Sequence, residues 1–120
     1  MELQKITKLT HEWRSASSKL IASESFNHAK MHDLLQNTYQ LLDKYSTEAA
    51  VPKELCELLL EMHDFSWWVS ELEDTPLHYF SQDLCFLICE LNKVLLTRDA
   101  DTEMIEKIMS RILHKQTGGI

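Results

Sequence analysis

Between Pro76 and Leu96 the chain reads PLHYFSQDLCFLICELNKVLL, its most apolar helix-like stretch, and this segment limits what the rest can be. Leu77, Phe80, Leu84, Leu87, Leu91 and Val94 alternate spacings of three and four, and Ile88 and Leu95 widen the stripe. That period gives one continuously apolar helix face, which must be buried. Thr75 suits the N-cap, and Pro76 suits the first helical position, where a missing N–H costs nothing. At about 100° per residue, Cys85, Phe86, Cys89 and Leu96 point away from the stripe, into the sector of Ser81, Gln82, Asn92 and Lys93. Such a helix is expected to be covered on more than one side, by a fifth helix of the same chain or by another chain.

Shorter stripes of the same period recur along the sequence. Ile6, Leu9, Trp13, Ala16 and Leu20 mark a first helix over residues 2–22, followed by a polar break at Ser23-Glu24-Ser25. Met31, Leu34, Leu35, Thr38, Leu41, Leu42 and Tyr45 mark a second over about residues 26–46, with Asn27 near the stripe, so that a frayed first turn or a later start is expected. After the linker TEAAVP, Pro52 is expected to open a third helix running to Leu72, with Leu55, Leu58, Leu59, Met62, Phe65, Val69 and Leu72 inward. Thr97 to Ala100 turn out of the central helix into a short fifth, about Thr102 to Lys115, built on Ile105, Ile108, Met109 and Ile112.

With 120 residues, 44% of them hydrophobic, the chain is long enough to bury one core without disulfides or metal. Two prolines, and two glycines both near the C-terminus, leave little of the turn chemistry that hairpins need. The expected fold is all-α: one domain over residues 1–120, a mostly antiparallel bundle of four long helices plus a shorter C-terminal helix, with residues 116–120 frayed. No apolar run approaches a membrane span, and the polar start has no signal-peptide core. Three cysteines without C-x-x-C spacing suit a reducing compartment and are expected to be buried small hydrophobes. The expectation is a soluble, cytoplasmic protein without cofactor.

The net charge of −7 is unevenly spread. From Glu48 to Glu90 ten acids face Lys53 alone, whereas residues 1–30 carry five bases and three acids. A basic partner would therefore meet the middle of the chain.

Catalytic chemistry finds little support. With no glycine before Gly118, a phosphate-cradling loop and a G-x-S-x-G elbow are excluded. His32-Asp33 and His63-Asp64 are adjacent pairs that point about 100° apart on a helix and make no dyad. The tight joint at Glu73-Asp74-Thr75 invites a helix-turn-helix reading. No base occurs between Lys53 and Lys93, however, so a phosphate backbone would be repelled and direct nucleic-acid binding is not expected.

His28 and His32 stand at i,i+4, the spacing at which two imidazoles can share a metal, but they lack the glutamate of H-E-x-x-H. They are weak ligand candidates beside the plainer reading of surface or cap-adjacent histidines. Cys85 and Cys89 are also i,i+4. His78 lies about 10 Å from Cys85 along the axis, too far for one zinc without Cys56, His63 or another chain.

The third helix carries the candidate site. Glu57, Glu61, Asp64 and Glu71 fall on one side away from its core stripe, with Trp68 among them and Cys56, Leu60 and Trp67 beside them. Trp67 and Trp68 cannot both face one interior. Tryptophan rimmed by charge suits a protein interface; the plainer reading packs Trp67 under another helix above a solvated acidic face. The leading expectation is a small non-enzymatic protein-binding module engaging a partner's basic groove. A homodimer through Cys85, Phe86 and Cys89, or through Trp67 and Leu60, is the alternative, and a metal-binding bundle the third. In size and expected architecture the chain is similar to small helical immunity proteins and phage-encoded inhibitors. That similarity is one of shape, and it implies at most a role in blocking a partner's surface.

Overall fold

The helices form where the apolar spacing puts them: α1 (Glu2–Ala22), α2 (His28–Tyr45), α3 (Glu54–Ser70), α4 (His78–Leu95) and α5 (Thr102–Leu113). The computed structural model describes residues 2–22, 27–71 and 78–114, and no strand occurs among them. The expected break at Ser23–Ser25, the cap at Thr75 and Pro76, Leu72, Leu77 and the tail from 116 lie outside the described residues, as do the side chains of Leu20 and His78.

Two helix starts are fixed by side-chain caps. Asn27 takes an extended backbone and its side chain accepts the Lys30 N–H at 3.0 Å, so Asn27 is the N-cap of α2 rather than part of a frayed first turn. Asp101 caps α5 in the same way, accepting the Met104 N–H at 3.1 Å. Helix α3 begins two residues after Pro52 without a side-chain cap, and Glu54 and Glu57 in its first turn complement the helix dipole instead.

The chain directions follow from polar ties at one end of the bundle. Lys44 Nζ, near the end of α2, meets Glu2 Oε2 at the start of α1 at 2.6 Å. Arg98, just past α4, donates to the Glu48 carbonyl in the link before α3 at 2.6 Å. Helices α1 and α3 therefore run one way and α2 and α4 the other. Among the described residues α1 packs on α2 and α3, α4 packs on α2 and α3, and α5 lies across α2 and α4. The α1–α3 and α2–α4 neighbours are parallel and the other pairs antiparallel, a mostly antiparallel bundle. Among the described residues α2 and α3 make no direct pairing, so the link over residues 46–53 crosses the bundle end diagonally.

One core joins all five helices, from Ile6, Leu9 and Trp13 through Leu35, Leu42, Leu58, Met62 and Phe65 to Leu87, Leu91, Ile108 and Ile112. The Trp13 ring meets the Phe65 ring edge-on at 5.2 Å between α1 and α3. Every described member of the α4 stripe is buried, as its period required.

Helix α5 does not cover the second apolar sector of α4. It seats on the opposite shoulder, through two buried acids. Asp83 is 1% exposed and accepts from Arg111 Nη2 at 2.9 Å. Glu90 accepts the Asp101 N–H at 3.0 Å and also pairs with Lys93 at 3.2 Å. Ser81, expected in the outward sector, is buried. The fifth helix thus follows the carboxylates, and Phe86, Cys89 and Leu96 stay at the surface.

Candidate interface on the third helix

Of the α3 core stripe, Leu55, Leu58, Met62, Phe65 and Val69 are all at 0% exposure, and Leu59 is only partly buried at its edge. Its two edges are fixed by contacts. On the α1 side Glu61 receives Arg14 Nη2 at 2.9 Å. On the α4 side the Ser66 carbonyl accepts the Cys85 thiol at 3.6 Å. Everything more than a residue's turn beyond those edges faces outward.

The outward surface carries large apolar groups on both sides of an acidic ridge. Leu60 is 66% exposed, Trp67 60% and Trp68 40%. Glu57, Asp64 and Glu71 recur every seven residues, so they line up along the helix at intervals of about 10.5 Å. The helical angle puts Leu60 and Trp67 on the α4 side of that ridge and Trp68 on the α1 side, next to Glu61. Glu57, Asp64 and Glu71 form no ion pair among the described residues, whereas Glu61 is bound to Arg14. The free rim is therefore those three acids, and Glu61 belongs to the α1–α3 seam.

A smaller apolar exposure lies on α4. Phe86 is 38% exposed and Leu96 67%, and Cys89 is exposed too. Cys89 and Leu96, seven apart, share the α3-facing shoulder with Cys85. The expectation of three buried thiols is corrected: Cys56 and Cys89 are exposed, and Cys85 alone is half-buried. Burial pushes the Cys85 thiol above its ordinary range. All three are free thiols.

The metal candidates do not converge. His28, the first residue of α2, lays its ring edge-on to Phe80 at 4.8 Å, and His32 Nδ1 lies 3.7 Å from Asp33 Oδ1. Among the described residues no three of His, Cys, Asp and Glu gather as a metal site. An open groove of ≈ 410 Å³ runs between α1 and α2, with Lys5, Lys8 and Lys44 on its walls and Leu9 and Leu41 below. It lies across the bundle from the α3–α4 pair, and its wall charges include Glu2 and Glu12 as well. Among the described residues no helix is long and apolar enough to cross a membrane.

Sequence periodicity separated the outward residues of α3 from its core, and Trp67 and Trp68 are both at the surface. It did not find the buried carboxylates Asp83 and Glu90, because their partners Arg111 and the Asp101 N–H come from another helix. The chain matches no family model, no curated protein and no solved structure.

Proposed function

We propose that this chain is a small acidic, non-enzymatic protein-binding module that docks through the outer face of α3 onto a basic groove of a partner. The role that fits such a surface is inhibitory or immunity-like, the blocking of a charged surface on a protein that handles nucleic acid. One observation carries the reading: Leu60, Trp67 and Trp68 are exposed along a ridge of three acids that form no ion pair among the described residues. Exposed tryptophans add little to the stability of the fold, and they anchor interfaces when covered. The acids steer a basic partner in and repel wrong ones. A reducing, cytoplasmic setting agrees with the free thiols.

The test uses the full chain as bait beside a Trp67→Ala/Asp64→Lys variant, both checked for equal helicity. Retention of a partner by the wild type and its loss by the variant supports the reading. Equal retention by both removes this face from consideration. A second reading, a homodimer across the α4 shoulder of Cys85, Phe86 and Cys89, rests on the exposure of Phe86 and Leu96. A concentration-independent dimer that Phe86→Gln converts to monomer would favour it.

A further inference from the structure

We infer that the α3 face recognises arginine rather than basic charge in general, and that its occupant is a helix presenting arginines about 10 Å apart. This rests on the proposed α3 interface and specifies its partner.

Asp64 stands in the middle of the acidic ridge. It precedes Trp67 by three residues and Trp68 by four, the two spacings that bring side chains together on a helix. Long helical side chains lean back toward the N-terminus, over the turn before their own Cα. Both indoles therefore lean toward the turn that carries Asp64, one from each side of the ridge, and both remain exposed. Asp64 itself is exposed and makes no ion pair among the described residues.

A carboxylate with an exposed tryptophan on either side of its helical position suits a planar cation. A guanidinium can stack on an indole while its edge donates two parallel hydrogen bonds to the carboxylate. A lysine ammonium offers a point charge, holds its hydration more tightly and cannot make the fork. Lysine also interacts with an indole face, but only a guanidinium stacks flat on it, sheds its hydration readily and forks onto the carboxylate, so two tryptophans beside the acid favour arginine.

Spacing supplies the second half. Glu57 and Glu71 stand about 10.5 Å to either side of Asp64 along α3, and Leu60 and Trp67 repeat the same interval in a parallel row. A partner helix with arginines at i and i+7 has that same repeat. Two helices crossing at about 20° keep their side-chain rows in step over two to three turns. The partner's apolar residues would then meet Leu60 and Trp67 while its arginines meet Asp64 and one flanking glutamate.

The experiment uses three synthetic helical peptides in an alanine–glutamine host: arginine at every seventh position, lysine at the same positions, and the same arginines respaced onto different faces. Binding to the full chain is followed by calorimetry and tryptophan fluorescence at low salt. The expected result is saturable binding of the in-step arginine peptide, about tenfold tighter than the lysine peptide, which keeps the charge but lacks the stacked, two-bond fork. Trp68→Ala and Trp67→Ala should each reduce that preference, and Asp64→Asn should weaken arginine and lysine peptides together. Melting temperatures near wild type confirm that the variants fold, because all three positions are at the surface. Equal affinity for arginine and lysine, indifference to spacing, or no saturable binding would overturn the inference. If the bait experiment nevertheless shows loss of a partner with the α3 variant, the interface stands and only its arginine selectivity falls.

Discussion

Trp13 donates its indole N–H to Thr38 Oγ1 at 2.9 Å, and the same hydroxyl donates to the Leu34 carbonyl at 2.7 Å, with both side chains fully out of solvent. The chain of bonds lets a tryptophan sit at the junction of α1, α2 and α3 without an orphaned donor. Thr38→Val keeps the shape but leaves the indole N–H buried without an acceptor, which should cost about 1–3 kcal/mol. Thr38→Ser keeps the acceptor and should cost clearly less. Denaturant midpoints of the two variants check the order; Val as stable as Ser would show that the bond contributes nothing.

The α5 seat gives a second prediction. Arg111→Met takes the guanidinium away from the buried Asp83 carboxylate and should destabilise by about 3–5 kcal/mol, whereas Asp83→Leu with Arg111→Met should recover much of the loss. Chemical denaturation of the single and double variants measures it. A double variant no better than the single would mean that the pair is not the main bond between α4 and α5.

The exposed residues of α3 should be dispensable for folding. Trp67→Ala and Leu60→Gln are expected to change stability by no more than about 0.5 kcal/mol, the usual range for surface positions without a cap or partner. Leu87→Ala, inside the α4 stripe, should cost about 2–5 kcal/mol by comparison. A large loss from Trp67→Ala would place that indole in the fold's own packing.

Thiol chemistry should separate the cysteines. Cys56 and Cys89 are exposed and should react quickly with an aromatic disulfide reagent at neutral pH, while half-buried Cys85, its thiol pushed up by burial, lags. The same shift makes stability fall in alkali. The folded state keeps its proton after the unfolded thiol has lost one near about pH 8.5, so this contribution is full below that pH and is lost as pH rises through the folded value. Cys85→Ala should flatten the alkaline slope of a denaturation series; an unchanged slope would contradict this cause.

Much of the fold was legible because four of the stripes are long and regular. The α1 boundaries match the expected 2–22, and Ile6, Leu9 and Trp13, like Leu84, Leu87 and Leu91, are buried as their spacing required. What periodicity missed is pairwise chemistry across helices. Asn27 looked like an interruption of the α2 stripe because a capping side chain is defined by the N–H three residues on, not by the hydrophobic pattern. Asp83 and Glu90 read as two more charges in an acidic middle because nothing local announces Arg111 or the Asp101 N–H. For the same reason the sequence could not say which shoulder of α4 the fifth helix would take. On α3 the outward groups were separable from sequence alone, yet the capture of Glu61 by Arg14 was not, since that contact joins residues 47 apart.

The most direct test of the α3 interface is site-specific photo-crosslinking in the cells that make the protein, with a photoreactive phenylalanine at position 67 and, as control, at exposed Lys107 on α5. One discrete adduct of higher mass is expected from position 67 and none from position 107, the adduct being weakened by Asp64→Lys in the same chain. No adduct from position 67, or the same diffuse pattern from both positions, would contradict the α3 interface.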